Sequence, residues 1–108
     1  MSAPTDLTSL ATGLGLRLAY ERGHAGNLVL LAESRVDGRS LLGVTYHLGG
    51  LVIARARADD NDPEIETVDG EPGDARALIA DRMLSELANL YACRALRRAH
   101  VRAVVASS

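Results

Sequence analysis

Lysine, phenylalanine and tryptophan are missing from this 108-residue chain, and cysteine occurs once. One cysteine excludes an internal disulfide, so packing has to hold the fold. With three tyrosines as the only aromatics, the core must be built from Leu, Val, Ile and Ala, and few aromatic anchors remain for an interface. The missing lysine makes all twelve basic residues arginine. Arginine in place of lysine, together with abundant alanine, resembles the codon bias of a GC-rich genome, such as that of an actinobacterium or its phage. No basic segment followed by an apolar run opens the chain, and the apolar run at 41–54 is too short and too broken to span a bilayer. A soluble cytoplasmic protein with no membrane partner is expected. The formal net charge of −2 indicates neither disorder nor direct nucleic-acid binding.

At this length residues 1–108 read as a single domain able to bury somewhat over about 60% of its unfolded surface. Asp6 or Thr5 can cap a short helix over 6–13, where Leu7, Leu10, Ala11 and Leu14 recur at helical spacing before Gly13 and Gly15. Leu16, Leu18 and Tyr20 alternate with Arg17, Ala19 and Glu21, the period of a half-buried strand. Leu28 to Ala32 is continuously apolar and reads as a strand covered on both faces or central to the sheet. Residues 39–58, the most apolar stretch, admit two readings. As a hairpin, Val44, Tyr46 and Leu48 alternate on one arm, Leu51 and Ile53 on the other, and Gly49-Gly50 forms the turn. As a helix, Leu41, Val44, Leu48, Leu51 and Val52 share a face, but three glycines would cost about 3 kcal/mol. Propensity favours the hairpin. The expected fold is α+β: an antiparallel meander of about four strands (16–21, 28–34, 41–48 and 51–57), a short N-terminal helix, and a long C-terminal helix over about 75–98 that covers the sheet.

Charge is segregated along the chain. Residues 1–58 carry six arginines and four acids, 59–74 carry eight acids and no basic residue, and 75–108 carry six arginines and two acids. The stretch 59–74, broken by Pro63, Gly70, Pro72 and Gly73, reads as an exposed acidic loop. Asp60, Asp62, Glu64 and Glu71 fall in an EF-hand-like register, but Ile65 stands where that loop requires glycine and Pro63 lies inside its turn. In the C-terminal helix Leu78, Ile79, Met83, Leu84, Leu87, Leu90 and Tyr91 form an apolar stripe with Cys93 near it, while Asp81, Ser85, Glu86 and Asn89 face away. Arg94, Arg98 and Arg102 recur every four residues and, with Arg97 beside them, would form a basic ridge if the helix continued.

Leu14-Gly15-Leu16-Arg17-Leu18, Leu28 to Leu31, Thr45 to Val52 and Ala80 to Leu87 come in an order that resembles the ImmA/IrrE family of zinc metallopeptidases, which pair with helix-turn-helix repressors. Thr45-Tyr46-His47-Leu48-Gly49-Gly50-Leu51-Val52 is similar to that family's His-Glu-Leu-Gly-His helix. The likeness spans about residues 7–90. It implies a zincin-like relative without the chemistry: Tyr46 and Gly50 stand at the metal-binding His positions, His47 at the general-base Glu, and Ala77 at the third ligand. A zinc peptidase needs three ligands and a base, so a pseudoenzyme is implied and no metal or cofactor is expected.

No nucleophile elbow, phosphate loop or paired Cys and His is present. The expected function is a non-enzymatic protein-interaction domain, a regulatory or assembly factor of a GC-rich bacterium or its phage. The alternatives are a small phage or particle structural subunit, and an enzyme whose site forms across a dimer interface. The partner is a protein or a second copy in a homodimer. Candidate contact residues are Arg94, Arg97, Arg98 and Arg102 on the helix end and Asp59, Asp60, Asp62, Glu64 and Glu66 in the acidic stretch, with Tyr46 and His47 as a candidate polar site.

Overall fold

The computed structural model describes residues 6–23, 26–47, 49–57, 62–70 and 73–106, with residues 97–101 described by the course of their helix alone. Helix α1 (Leu7–Gly13) leads into strands β1 (Leu16–Arg22), β2 (Leu28–Ser34), β3 (Ser40–His47), β4 (Gly50–Arg55) and β5 (Glu64–Asp69), and helix α2 (Ala75–Ala106) follows. The strands form one antiparallel sheet in chain order. The α+β meander with a short leading and a long trailing helix is therefore present. It has five strands rather than about four, and the helix runs to 106 rather than 98.

The fifth strand comes from the stretch read as an acidic loop. Glu64, Glu66 and Val68 alternate with Ile65, Thr67 and Asp69 there, the period of a strand, and they pair in register with β4 from Arg55↔Glu64 to Gly50↔Asp69. Residues 58–61 and 71–72, including Asp59, Asp60 and Glu71, lie outside the described residues.

The stretch 41–58 is a hairpin, with one correction to its turn. His47 pairs with Gly50, so the turn lies between them, and of the two glycines it is Gly49 that takes the positive φ, +80°. Gly50 belongs to β4 and serves a different need. A Cβ there would stand 3.1 Å from the Val68 carbonyl oxygen, so β5 can approach only a residue without a side chain.

Both helices lie on one face of the sheet. The register places Tyr20, Leu30, Val44 and Ile53 in one row across that face, with Leu18, Ala32, Leu42 and Arg55 in the next. Against these rows α2 buries Ile79, Met83 and Leu87 completely, one residue per turn at four-residue spacing. Each such burial contributes up to about 1.5–3 kcal/mol. Asp74 caps the start of α2 through its carbonyl, which accepts from the Leu78 N–H at 3.0 Å. The Arg76 guanidinium stacks 4.2 Å above the Tyr20 ring and ties that end to β1. At the other end Tyr91 packs where Gly13 leaves room, and the Arg94 guanidinium donates to the Leu14 carbonyl at 3.0 Å.

Beyond Arg94 the helix leaves the sheet behind. Thirty-two residues of α2 span about 48 Å, whereas the eight residues of β3 reach about 26 Å. The radius of gyration of 15.6 Å exceeds the roughly 13 Å of a compact chain this long, as a projecting helix end requires. Among the described residues no helix is long and apolar enough to cross a membrane.

Candidate functional site

Tyr46 and His47 do not converge. As consecutive residues of β3 they point to opposite faces: Tyr46 packs beside the core under the helices, and His47 is exposed on the other side. The His47 Nδ1 lies 2.9 Å from the Asn27 side-chain nitrogen, an arrangement in which the amide donates and the imidazole carries its proton on Nε2. Tyr46 and Gly50 lie on the hairpin and Ala77 in the first turn of α2. Among the described residues no group of three His, Cys, Asp or Glu side chains is placed to hold a metal ion. His24 lies outside the described residues, as does the side chain of His100.

The densest polar cluster is one that composition did not single out. Arg55 follows Leu51 and Ile53 at two-residue spacing, so the strand turns its guanidinium toward α2. There its Nε and a terminal nitrogen grip both carboxylate oxygens of Glu86, at 3.1 and 2.5 Å. The same nitrogen reaches Glu66 at 2.8 Å, and the other lies 3.6 Å from Glu64. Arg82 completes the cluster at 3.1 Å from Glu86 and 3.6 Å from Glu66, while its Nε is buried with no hydrogen-bond partner. The Arg55 hydrogen bond holds the Glu86 carboxyl below the usual carboxylate range, with burial opposing it. Arg55 in turn holds its proton more tightly than a free guanidinium, chiefly through Glu86 and then Glu66. Glu86 was expected to face away from the core, but its side chain is only 11% exposed.

Glu64 and Glu66, two of the expected partner-binding acids, thus face α2 and pair within the chain. Every acid of the cluster has a cation beside it, and the Glu86 carboxyl is shifted down, away from the range where a carboxyl shuttles protons at neutral pH. The cluster clamps α2 to β4 and β5. Its signal in the sequence was an arginine at an inward strand position together with Arg82 and Glu86 four residues apart on a helix.

Of the other expected contact residues, Asp62 and Arg102 are exposed. Arg94 is spent on the Leu14 carbonyl rather than standing free on a ridge. Asp59 and Asp60, and the side chains of Arg97 and Arg98, lie outside the described residues. Cys93, expected near the core, is exposed.

The opposite face of the sheet is the larger feature. Register places Ala19, Leu31, Gly43, Ala54 and Ile65 in one row across it and Val29, Thr45, Val52 and Thr67 in the next. Both helices pack on the other side, so no described element covers these rows. Ile65 is 58% exposed. A shallow depression of about 170 Å³ lies among Leu31, Leu41, Gly43, Ala54, Ala56 and Pro63, with the Leu31 side chain lying over Gly43. Charge on this face lies toward its edges, where Arg17 of β1 is 3.7 Å from Glu33 and Asp69 of β5 is exposed. Leu28 to Ala32 was expected to be a strand covered on both faces or one central to the sheet; β2 lies inside the sheet, between β1 and β3, with its helix side alone covered. The helix end beyond Arg94 is the second exposed apolar region: Leu96, Val104 and Val105 are 70%, 55% and 67% exposed.

No protein-family model matches the chain, and no curated protein or solved structure matches it.

Proposed function

We propose that the chain is a non-enzymatic protein-interaction domain that works through the helix-free face of its sheet, as a regulatory or assembly factor. The observation that carries this reading is the composition of that face. Val29 and Leu31 on β2 and Val52, Ala54 and Ile65 on β4 and β5 flank Gly43 and Thr45 of β3, and no described element covers them. Antiparallel sheets that face water on one side alternate apolar with polar residues, and a contiguous apolar patch on such a sheet marks a surface that meets another molecule. The polar cluster around Glu86 offers no competing catalytic reading, because its groups neutralise one another.

A photo-reactive phenylalanine analogue placed at Ile65, and separately at the exposed Asp81 on the far side of α2, tests the reading in cells that make the chain. A discrete protein adduct from position 65 and none from position 81 is expected. Equal adducts from both positions, or none from either, would overturn it.

A further inference from the structure

We propose that the occupant of the helix-free sheet face is the projecting end of α2 from a second copy of the chain, exchanged between two copies in a two-fold dimer. The inference rests on the proposed use of that face as an interaction surface.

Three features of the fold converge on it. The first is dimension. Residues 95–106 extend about 18 Å at roughly 1.5 Å per residue, which matches the roughly 20–26 Å that β2, β3 and β4 offer along their length. Leu96 and Ala103 fall at helical spacing on this segment, with Val104 beside them. Small residues with one or two larger apolar ones let a helix lie close on a sheet face such as the one that Leu31 and Ala54 form.

The second is geometry. α2 starts beside Tyr20 near the end of β1, passes Glu86 beside Arg55 at the end of β4, and leaves past Leu14 just ahead of β1. Antiparallel order puts the end of β4 and the starts of β1, β3 and β5 at this same end of the sheet. The helix therefore projects beyond the sheet while staying one layer above it. A two-fold axis across that end sets a second sheet in line with the first and turns it over. The straight continuation of α2 then runs one layer above the second sheet's helix-free face, and the symmetry gives the second helix end the same seat on the first sheet. Neither helix has to bend. Such an interface is self-complementary and closes at two copies.

The third is charge. After Glu86 the sequence contains four arginines and no acid, of which Arg94 is held by the Leu14 carbonyl and Arg102 is exposed; of the eight acids in residues 59–74, Glu64 and Glu66 are paired with Arg55 and Arg82. Two helix ends packed on each other would bring arginine against arginine. On a second copy's sheet, each end instead arrives beside the connection between β4 and β5, where Asp62 is exposed, and opposite charges across the contact fix the pairing.

Sedimentation velocity and native mass spectrometry of the full chain, with a paired Leu96→Glu and Val104→Glu variant, test the dimer. A dimer is expected for the wild type and a monomer, at half the mass, for the variant. Leu96 and Val104 are exposed, so the helical circular dichroism should be unchanged. A photo-reactive residue at position 104, in a mixture of isotopically light and heavy chains, reads the seat directly. It should join light to heavy chains through peptides of β2 to β5. A monomeric wild type overturns the proposal, as does a dimer cross-linked between the two helix ends. The adduct at position 65 separates the two claims: a foreign protein caught there by a monomeric chain would leave the interaction surface standing and sink the dimer.

Discussion

Leu30 and Leu31 are neighbours on β2, yet Leu30 is 1% exposed beneath α2 and Leu31 looks out from the face that no described element covers. The same contrast repeats on β4, where Ile53 is fully buried and Val52 lies on the other side. One face gains its stability inside the chain, because Ile79, Met83 and Leu87 fill its rows. The other carries similar side chains without that return. The difference separates residues that hold the fold from residues on the face proposed to serve contact, and substitutions on the two faces should divide along that line.

The largest effect belongs to the inner face. Met83→Ala should destabilise the chain by about 2–5 kcal/mol through lost burial and a residual cavity, read as a lower denaturation midpoint in urea. Glu86→Gln comes next. It withdraws the charge that Arg55 and Arg82 share and should cost about 1–3 kcal/mol at neutral pH. The Glu86 carboxyl is held below its ordinary value in the folded state, so its contribution is complete above the unfolded carboxyl pKa and is lost as pH falls through the lower folded one. The gap in urea midpoint between wild type and Glu86→Gln should therefore be full at pH 7 and close only in acid below the usual carboxylate range. A gap that closed between pH 7 and 5 would contradict the assignment. The smallest stability effect belongs to the outer face: Val52→Thr should move the midpoint by less than about 0.5 kcal/mol. If it also leaves association unchanged, the outer face loses its proposed role.

The parts of the fold that were legible in the sequence are those with one dominant local signal. β1 to β4 appeared within two residues of their ends because period-two patterns there are separated by turn residues such as Asp37-Gly38 and Gly49-Gly50. The glycine pair showed where the chain turns but not which residue takes positive φ, since that depends on the pairing of His47 with Gly50, a property of two strands together. β5 was hidden because eight acids between 59 and 74 outweighed the alternation of Ile65 and Thr67 with Glu64 and Glu66. Those carboxylates are acceptable on the helix side only because Arg55 and Arg82 meet them there. The ion-paired cluster was legible only in part: Arg82 and Glu86 stand four residues apart on α2, but no spacing along the chain joins them to Arg55 on β4 or to Glu64 and Glu66 on β5. The uncovered face could not be read either. An apolar run such as Leu28 to Ala32 looks alike whether one side or both are covered, and which applies depends on where two helices dock.

The order of the meander also governs how the chain can come into being. Each strand pairs with the one made just before it, so every hairpin from β1 to β5 can close over a short loop, with little of the entropic delay that slows sheets of distant strands. The helix that shields the inner face comes after all of them. On the ribosome the finished meander must therefore wait, apolar on both sides, until α2 has cleared the exit tunnel. Over that interval the sheet resembles the aggregation-prone intermediates that larger proteins pass through, and the speed at which α2 docks sets how long the nascent chain stays exposed to them.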